Sequence, residues 1–215
     1  MAITETSNQS ITSLKGVHLY HFGMSSCSQR VRFALEEKGV GWERHPAIFL
    51  RTPTSLAAHN QSLLLLKVNN KLDYEAELLV VIGKQAKYLT VDNALDAVWG
   101  YSLFNDGSVR PYQRWSTQWT MSKYFDQTGG LGPWIVTPDE LPLGAKGLNI
   151  EMRLNDQVMQ QANTDDMVFD VVNTLVQISE CMTLQPGDCI AWERLQGWGI
   201  QEIPPCFCNP EILLK

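Results

Sequence analysis

Between Leu72 and Lys84 the chain reads LDYEAELLVVIGK. Polar and apolar residues alternate at its start, and the run then stays apolar through Ile82. That pattern predicts a strand, or two strands meeting at a bend. Glu75 and Glu77 stand at i and i+2, so on a strand their side chains leave the same face. Two carboxylates on one face of an apolar strand are costly to bury in ionised form without a compensating cation. A hard divalent metal with oxygen ligands satisfies them. A solvated strand face is the other reading, and the commoner one for an isolated pair.

The next apolar run, Gly100 to Phe104, ends in Asn105-Asp106-Gly107-Ser108. Alone this is a turn, but a carboxylate at a strand end is also a place for a ligand. Three oxygen ligands from two strands, with positions left open for substrate, suit magnesium or manganese. Arg110, Gln113 and Lys123 lie in a stretch rich in Trp and Tyr, and singly each reads as a surface residue. Gly129-Gly130-Leu131-Gly132-Pro133 reads as a rigid loop with close backbone approach. It lacks the residue order of a phosphate loop.

Outward from these segments the chain is strand-rich with a few helices. Val17 to Tyr20 reads as a strand and Ser28 to Lys38 as a helix stopped by Gly39. Val91 to Val98 is helix-like, and Trp99 to Asn105 is a strand. Leu148 to Leu154 alternates and pairs with Gln157 to Gln160 across the turn Asn155-Asp156. Met167 to Met182 is the best helix, with Phe169, Val172, Leu175, Val176 and Ile178 near helical spacing. Pro186-Gly187-Asp188 is a turn and Cys189 to Ala191 a strand. The first 15 residues, rich in Ser, Thr and Asn, read as a flexible leader.

Composition narrows the function classes. A chain of 215 residues, 44% hydrophobic and 19% charged, is ordinary for a globular protein with one sizeable core. A net charge of -6 lacks the basic footprint of a nucleic-acid binder. No run approaches the roughly 20 apolar residues that span a bilayer, so no membrane partner is expected. The polar N-terminus has no signal-peptide core. Five cysteines, an odd number, fit a reduced cytoplasmic setting better than a disulfide framework.

Taken together, several ordered segments resemble the fumarylacetoacetate hydrolase superfamily. LDYEAELLVVIGK is similar to its metal-binding strand, and GYSLFNDGSVRPYQ (Gly100 to Gln113) to its NDxSxRxxQ segment. KYFDQTGGLGPWIVTPDEL (Lys123 to Leu141) is similar to its lysine segment and the loop that follows. Asn163 to Ala191 resembles its late helix and turn, and PAIFLRTPTSL (Pro46 to Leu56) its opening strand. The resemblance implies a mostly β (α+β) fold, a β-roll with a few peripheral helices, over residues 46-215. It implies that Glu75, Glu77 and Asp106 hold a divalent cation, Mg2+ or alternatively Mn2+ or Ca2+. It implies catalytic roles for Lys123, which stabilises negative charge on a substrate oxygen, and for Gln113 and Arg110, which orient the substrate. It further implies that Tyr124, Gly132 and Pro133 line the substrate.

The implied activity is metal-dependent chemistry on a 2-oxo acid or β-dicarbonyl compound through a metal-bound enolate, giving carbon–carbon cleavage, decarboxylation or isomerisation, in a homodimer. The family's NYxxHxxE lid motif, whose His and Glu activate water, is missing, which tilts the reading away from strict hydrolysis. Residues 17-45 instead resemble the strand, SxC turn and first helix of a glutathione transferase, so the lid region is read as replaced and residues 1-45 as a separate segment. A specialised biosynthetic isomerase or cyclase with a larger substrate stays open, as does a non-catalytic truncated member that binds or assembles.

Overall fold

The computed structural model describes residues 45–64, 67–68, 71–116 and 118–192. The leader, the transferase-like stretch before His45 and the tail after Trp192 lie outside the described residues. The run from Leu72 to Lys84 holds two strands meeting at a bend. β2 (Leu72–Asp73) is separated from β3 (Ala76–Ile82) by Tyr74 and Glu75. All seven residues of β3 are buried, which accounts for the unbroken apolar run: a strand covered on both faces has no polar side.

β3 lies inside a five-stranded sheet of order β1-β6-β4-β3-β9, between β4 and the edge strand β9. Its partners are β4 (Val98–Asp106) and β9 (Cys189–Trp192), both antiparallel. β4 pairs in turn with β6 (Gly129–Leu131), and β6 runs parallel to β1 (Leu56–Ala58). A two-stranded ribbon joins β2 to β5 (Ser108–Val109). Leu78, Val80 and Ile82 face the main core with Tyr101, Val171, Leu175, Ile178 and Trp192. Leu79 and Val81 face the other way, against Phe104 and Leu131. Glu77 lies on this second face, opposite Phe104 in the ladder.

The main core is closed by a hairpin and a helix. β7 (Asn149–Leu154) and β8 (Gln157–Asn163) join through Asn155 and Asp156, at φ 50° and 64°. A two-residue hairpin turn needs that left-handed pair, and Asn and Asp tolerate it. Among the described residues the α-helices are α1 (Arg110–Gln113) and α2 (Thr120–Lys123), between β5 and β6, and α3 (Val171–Cys181), between β8 and β9. α3 buries Val171, Leu175 and Ile178, and Trp192 Nε1 donates to Thr174 Oγ1 at 3.0 Å, tying β9 to the helix. Among the described residues no helix is long and apolar enough to cross a membrane.

Three expected elements differ. The helix over 91–98 is a single short turn, Ala94–Ala97, because Val98 is already the first residue of β4. The helix expected from Met167 starts at Val171, since Asp170 caps it: the Asp170 carboxylate accepts from Asn173 N at 2.8 Å. The Gly129–Leu131 part of the expected loop is a strand.

The Asp170 cap yields a stability prediction. Burial favours the neutral acid, but the Asn173 amide and the Lys146 ammonium outweigh it and hold the Asp170 pKa below its ordinary value. Asp170→Ala is expected to cost about 1 kcal/mol, the usual worth of such a cap. The cap acts in its ionised form, so its contribution is full above the unfolded value of 3.8 and is lost as pH falls below it. Denaturant titrations at neutral pH and at strongly acid pH should show the gap between variant and parent narrowing on acidification.

Candidate metal centre

Glu75, Glu77 and Asp106 each contribute a carboxylate oxygen to one point, and those atoms lie within 4.8 Å of one another. The sheet explains the convergence. Glu77 and Asp106 leave the same face of neighbouring antiparallel strands, in line with the ladder pairs Glu77↔Phe104 and Ala76↔Asn105. Glu75 sits just ahead of β3 and is fixed through its backbone. Its N–H donates to Asn105 Oδ1 at 3.0 Å, and its carbonyl accepts from Asp106 N at 2.9 Å. All three are nearly inaccessible, at 9%, 3% and 1% exposure.

Buried carboxylates need positive charge, and the chain supplies it from three directions. Lys123, 2% exposed, ends α2 and donates from Nζ to Glu75 Oε2 at 2.7 Å and to Asp106 Oδ2. Arg110, at the start of α1, donates from Nη2 to Glu75 Oε1 and from Nε to Asp73 Oδ2, each at 2.6 Å. Arg51 reaches in from the segment before β1 and donates from Nε to Asp106 Oδ1 at 2.5 Å.

Burial favours the neutral acid at Glu75, yet Lys123 and Arg110 outweigh it and hold the carboxyl down at about 2. Burial likewise opposes the Lys123 charge, but Glu75, Asp106 and Glu77 hold its pKa above the ordinary lysine value. Lys123 is therefore an ammonium at neutral pH, suited to stabilising a developing oxyanion and unsuited to taking a proton.

The residues fit a divalent cation. The donor set is three carboxylates, the hard oxygen ligands that Mg2+, Mn2+ and Ca2+ prefer. All three carboxylates act on the one Lys123 ammonium and raise its pKa, so positive charge is favoured among them.

The residues named from sequence fall in different places. Lys123 and Arg110 are bonded to the carboxylates. Gln113 holds Arg110, accepting from Nη1 at 2.9 Å. Tyr124 follows Lys123 at the end of α2, half-buried. Gly132 and Pro133, joined by a cis peptide, follow β6, the strand that pairs with β4 through Asp106↔Gly129. Arg51 and Asp73 were not foreseen. One signal could have found Arg51: a buried acidic cluster demands cations, and Arg51 is the sole Lys or Arg between Pro46 and Asn60.

The family model described as fumarylacetoacetate (FAA) hydrolase C-terminal matches residues 22–199. The match runs through most of the stretch read above as transferase-like, and that likeness has no support.

A protein of Archaeoglobus fulgidus is 34% identical over 165 residues, 77% of this chain and 64% of the relative. The chain thus spans a little under two thirds of that relative's length. Among solved structures, fumarylacetoacetate hydrolase from Exiguobacterium antarcticum is 35% identical with a TM-score of 0.66, over 69% of this chain and 53% of that one. Maleylpyruvate hydrolase from Sphingobium sp. SYK-6, in complex with manganese(II) ion and pyruvate, is 33% identical with a TM-score of 0.60, over 66% and 52%. The mostly β fold with few helices is shared with these structures.

Proposed function

The chain belongs to the fumarylacetoacetate hydrolase family, and from that premise we propose that it is a divalent-cation-dependent enzyme acting on a small 2-oxo acid or β-dicarbonyl compound through an enolate. The observation that carries the proposal is the convergence of three buried carboxylates with a buried ammonium. Support also comes from the manganese and pyruvate bound by the related maleylpyruvate hydrolase.

In this reading Glu75, Glu77 and Asp106 would hold Mg2+, or Mn2+ or Ca2+ in its place. The bound cation supplies Lewis acidity to a substrate carbonyl. Lys123 offers its Nζ protons to the oxygen on which enolate charge develops. Arg110, steadied by Gln113 and Asp73, orients the substrate, and Tyr124, Gly132 and Pro133 line its place. The sequence lacks the NYxxHxxE motif whose His and Glu activate water, so decarboxylation or isomerisation, which asks less of a water-activating base, is favoured over hydrolysis. We further propose a cytoplasmic homodimer. The free thiols of Cys181 and Cys189 suit a reducing compartment, and exposed apolar side chains such as Trp134 and Trp99 offer contact surface.

The test is direct. Mn2+ titration of the full chain should show saturable binding, and oxaloacetate or an acylpyruvate should turn over only with the metal present. Release of pyruvate from an acylpyruvate would restore hydrolysis as the reaction. Binding without turnover on any dicarbonyl would favour a non-catalytic member.

A further inference from the structure

Arg51 engages the site with all three guanidinium nitrogens. Its side chain is 9% exposed. Nε donates to Asp106 Oδ1 at 2.5 Å and Nη2 to the Gly107 carbonyl. Nη1 donates to Ser55 Oγ at 3.3 Å and to Thr128 Oγ1 at 3.4 Å. These anchors are themselves fixed. Ser55 and Thr128 are fully buried, and their hydroxyls donate to the Thr52 and Phe125 carbonyls at 2.7 and 2.8 Å.

The fold makes room for this side chain. Gly129 stands opposite Asp106 in the ladder. A Cβ on Gly129 would lie 2.7 Å from Arg51 Nη1 and 2.8 Å from the Phe104 ring. The Phe104 ring packs 5.4 Å from the guanidinium carbon.

Asp106 is therefore held asymmetrically. Oδ1 is taken by Arg51, and Oδ2 faces Lys123. We infer that Arg51 is a positioning residue that makes Asp106 a one-oxygen ligand and biases the cation site toward Mg2+ or Mn2+ over Ca2+. The inference rests on the reading of Glu75, Glu77 and Asp106 as a cation site.

The physical ground is ligand number. Ca2+ accepts six to eight oxygens and readily takes both from one carboxylate, whereas Mg2+ demands a near-octahedral set. The guanidinium N–H on Oδ1 occupies one of its two lone pairs and sets positive charge where a second Asp106 contact would form. Lysine, a point charge without the fork, cannot hold Oδ1, Gly107 and two hydroxyls at once.

The experiment titrates the full chain and its Arg51→Met and Arg51→Lys variants with Mn2+ and, separately, Ca2+ by calorimetry. The ratio of the two affinities is the readout. Lost charge or a loosened fold shifts both divalent ions in the same direction, while a freed Oδ1 favours Ca2+ selectively. The Mn2+ preference should fall about tenfold or more in Arg51→Met, within the range seen when residues supporting a ligand are removed, and by less in Arg51→Lys. An unchanged ratio in a folded Arg51→Met overturns the inference. Should that variant not fold, Thr128→Val loosens the same fork, and an unchanged ratio in both Thr128→Val and Arg51→Lys overturns it equally. Parent protein that binds neither ion overturns the cation site itself, a distinct result.

Discussion

Asp106→Asn is expected to abolish divalent-cation binding and to destabilise the fold by about 3–5 kcal/mol, the cost of leaving a buried charge without its partner. Asp106 is 1% exposed and faces two cations at once, Arg51 on Oδ1 and Lys123 on Oδ2. Asparagine keeps the shape and removes the charge that both require. Asp73→Asn is the contrasting change. Asp73 pairs with the outer side of Arg110, where the two side chains are 20% and 31% exposed. A pair that open to solvent contributes at most about 1 kcal/mol. Denaturant midpoints should therefore separate the two variants clearly, and Mn2+ titration should separate them further. Cation affinity should drop more than about 100-fold in Asp106→Asn, beyond what removal of a supporting residue does. Parent-like Mn2+ affinity in Asp106→Asn would remove Asp106 from the ligand set.

The contrast between Asp106 and Arg51 also marks what is legible in the sequence. Glu75, Glu77 and Asp106 are visible because charge interrupts or ends an apolar run, and burial makes such charge expensive. β3 is visible because it is apolar without a break from Leu78 to Ile82. Arg51 is reached only by asking which cation serves the buried carboxylates: it sits among threonine and proline, 55 positions before the one it serves, and its own neighbours do not distinguish it from a surface arginine. β6 is hidden by its own function. Gly129 and Gly130 have low strand propensity and read as a loop, yet Gly129 must lack a Cβ for Arg51 and Phe104 to fit. The short turn at Ala94–Ala97 reads as a longer helix because Leu95 and Val98 share a helical spacing, although Val98 belongs to β4. Local pattern finds the residues that are costly where they stand and misses those brought in by the topology.

Lys123→Met is expected to separate catalysis from cation binding. Lys123 is 2% exposed, so methionine, similar in length and apolar, fits the same burial beside the Phe49 ring, which lies 5.0 Å from Nζ. Glu75 retains Arg110 and Asp106 retains Arg51, so each carboxylate keeps one partner. Turnover of the dicarbonyl substrate should fall about 10²–10³-fold, the usual loss when one group stabilising an oxyanion is removed. Cation affinity should hold or rise, because Lys123 is a positive charge bonded to two of the three prospective ligands. A thermal consequence follows by mass action, since an ion that binds only the folded state stabilises it by RT ln(1 + c/Kd) at free ion concentration c. The Tm gained on adding a fixed Mn2+ concentration should be larger in Lys123→Met than in the parent, starting from a lower metal-free value. A purely structural lysine predicts the opposite pattern, with turnover and cation affinity lost together. Undiminished turnover in Lys123→Met would place the charge that meets the enolate elsewhere, and Arg110 is then the remaining cation bonded to the carboxylate cluster from the substrate-orienting side.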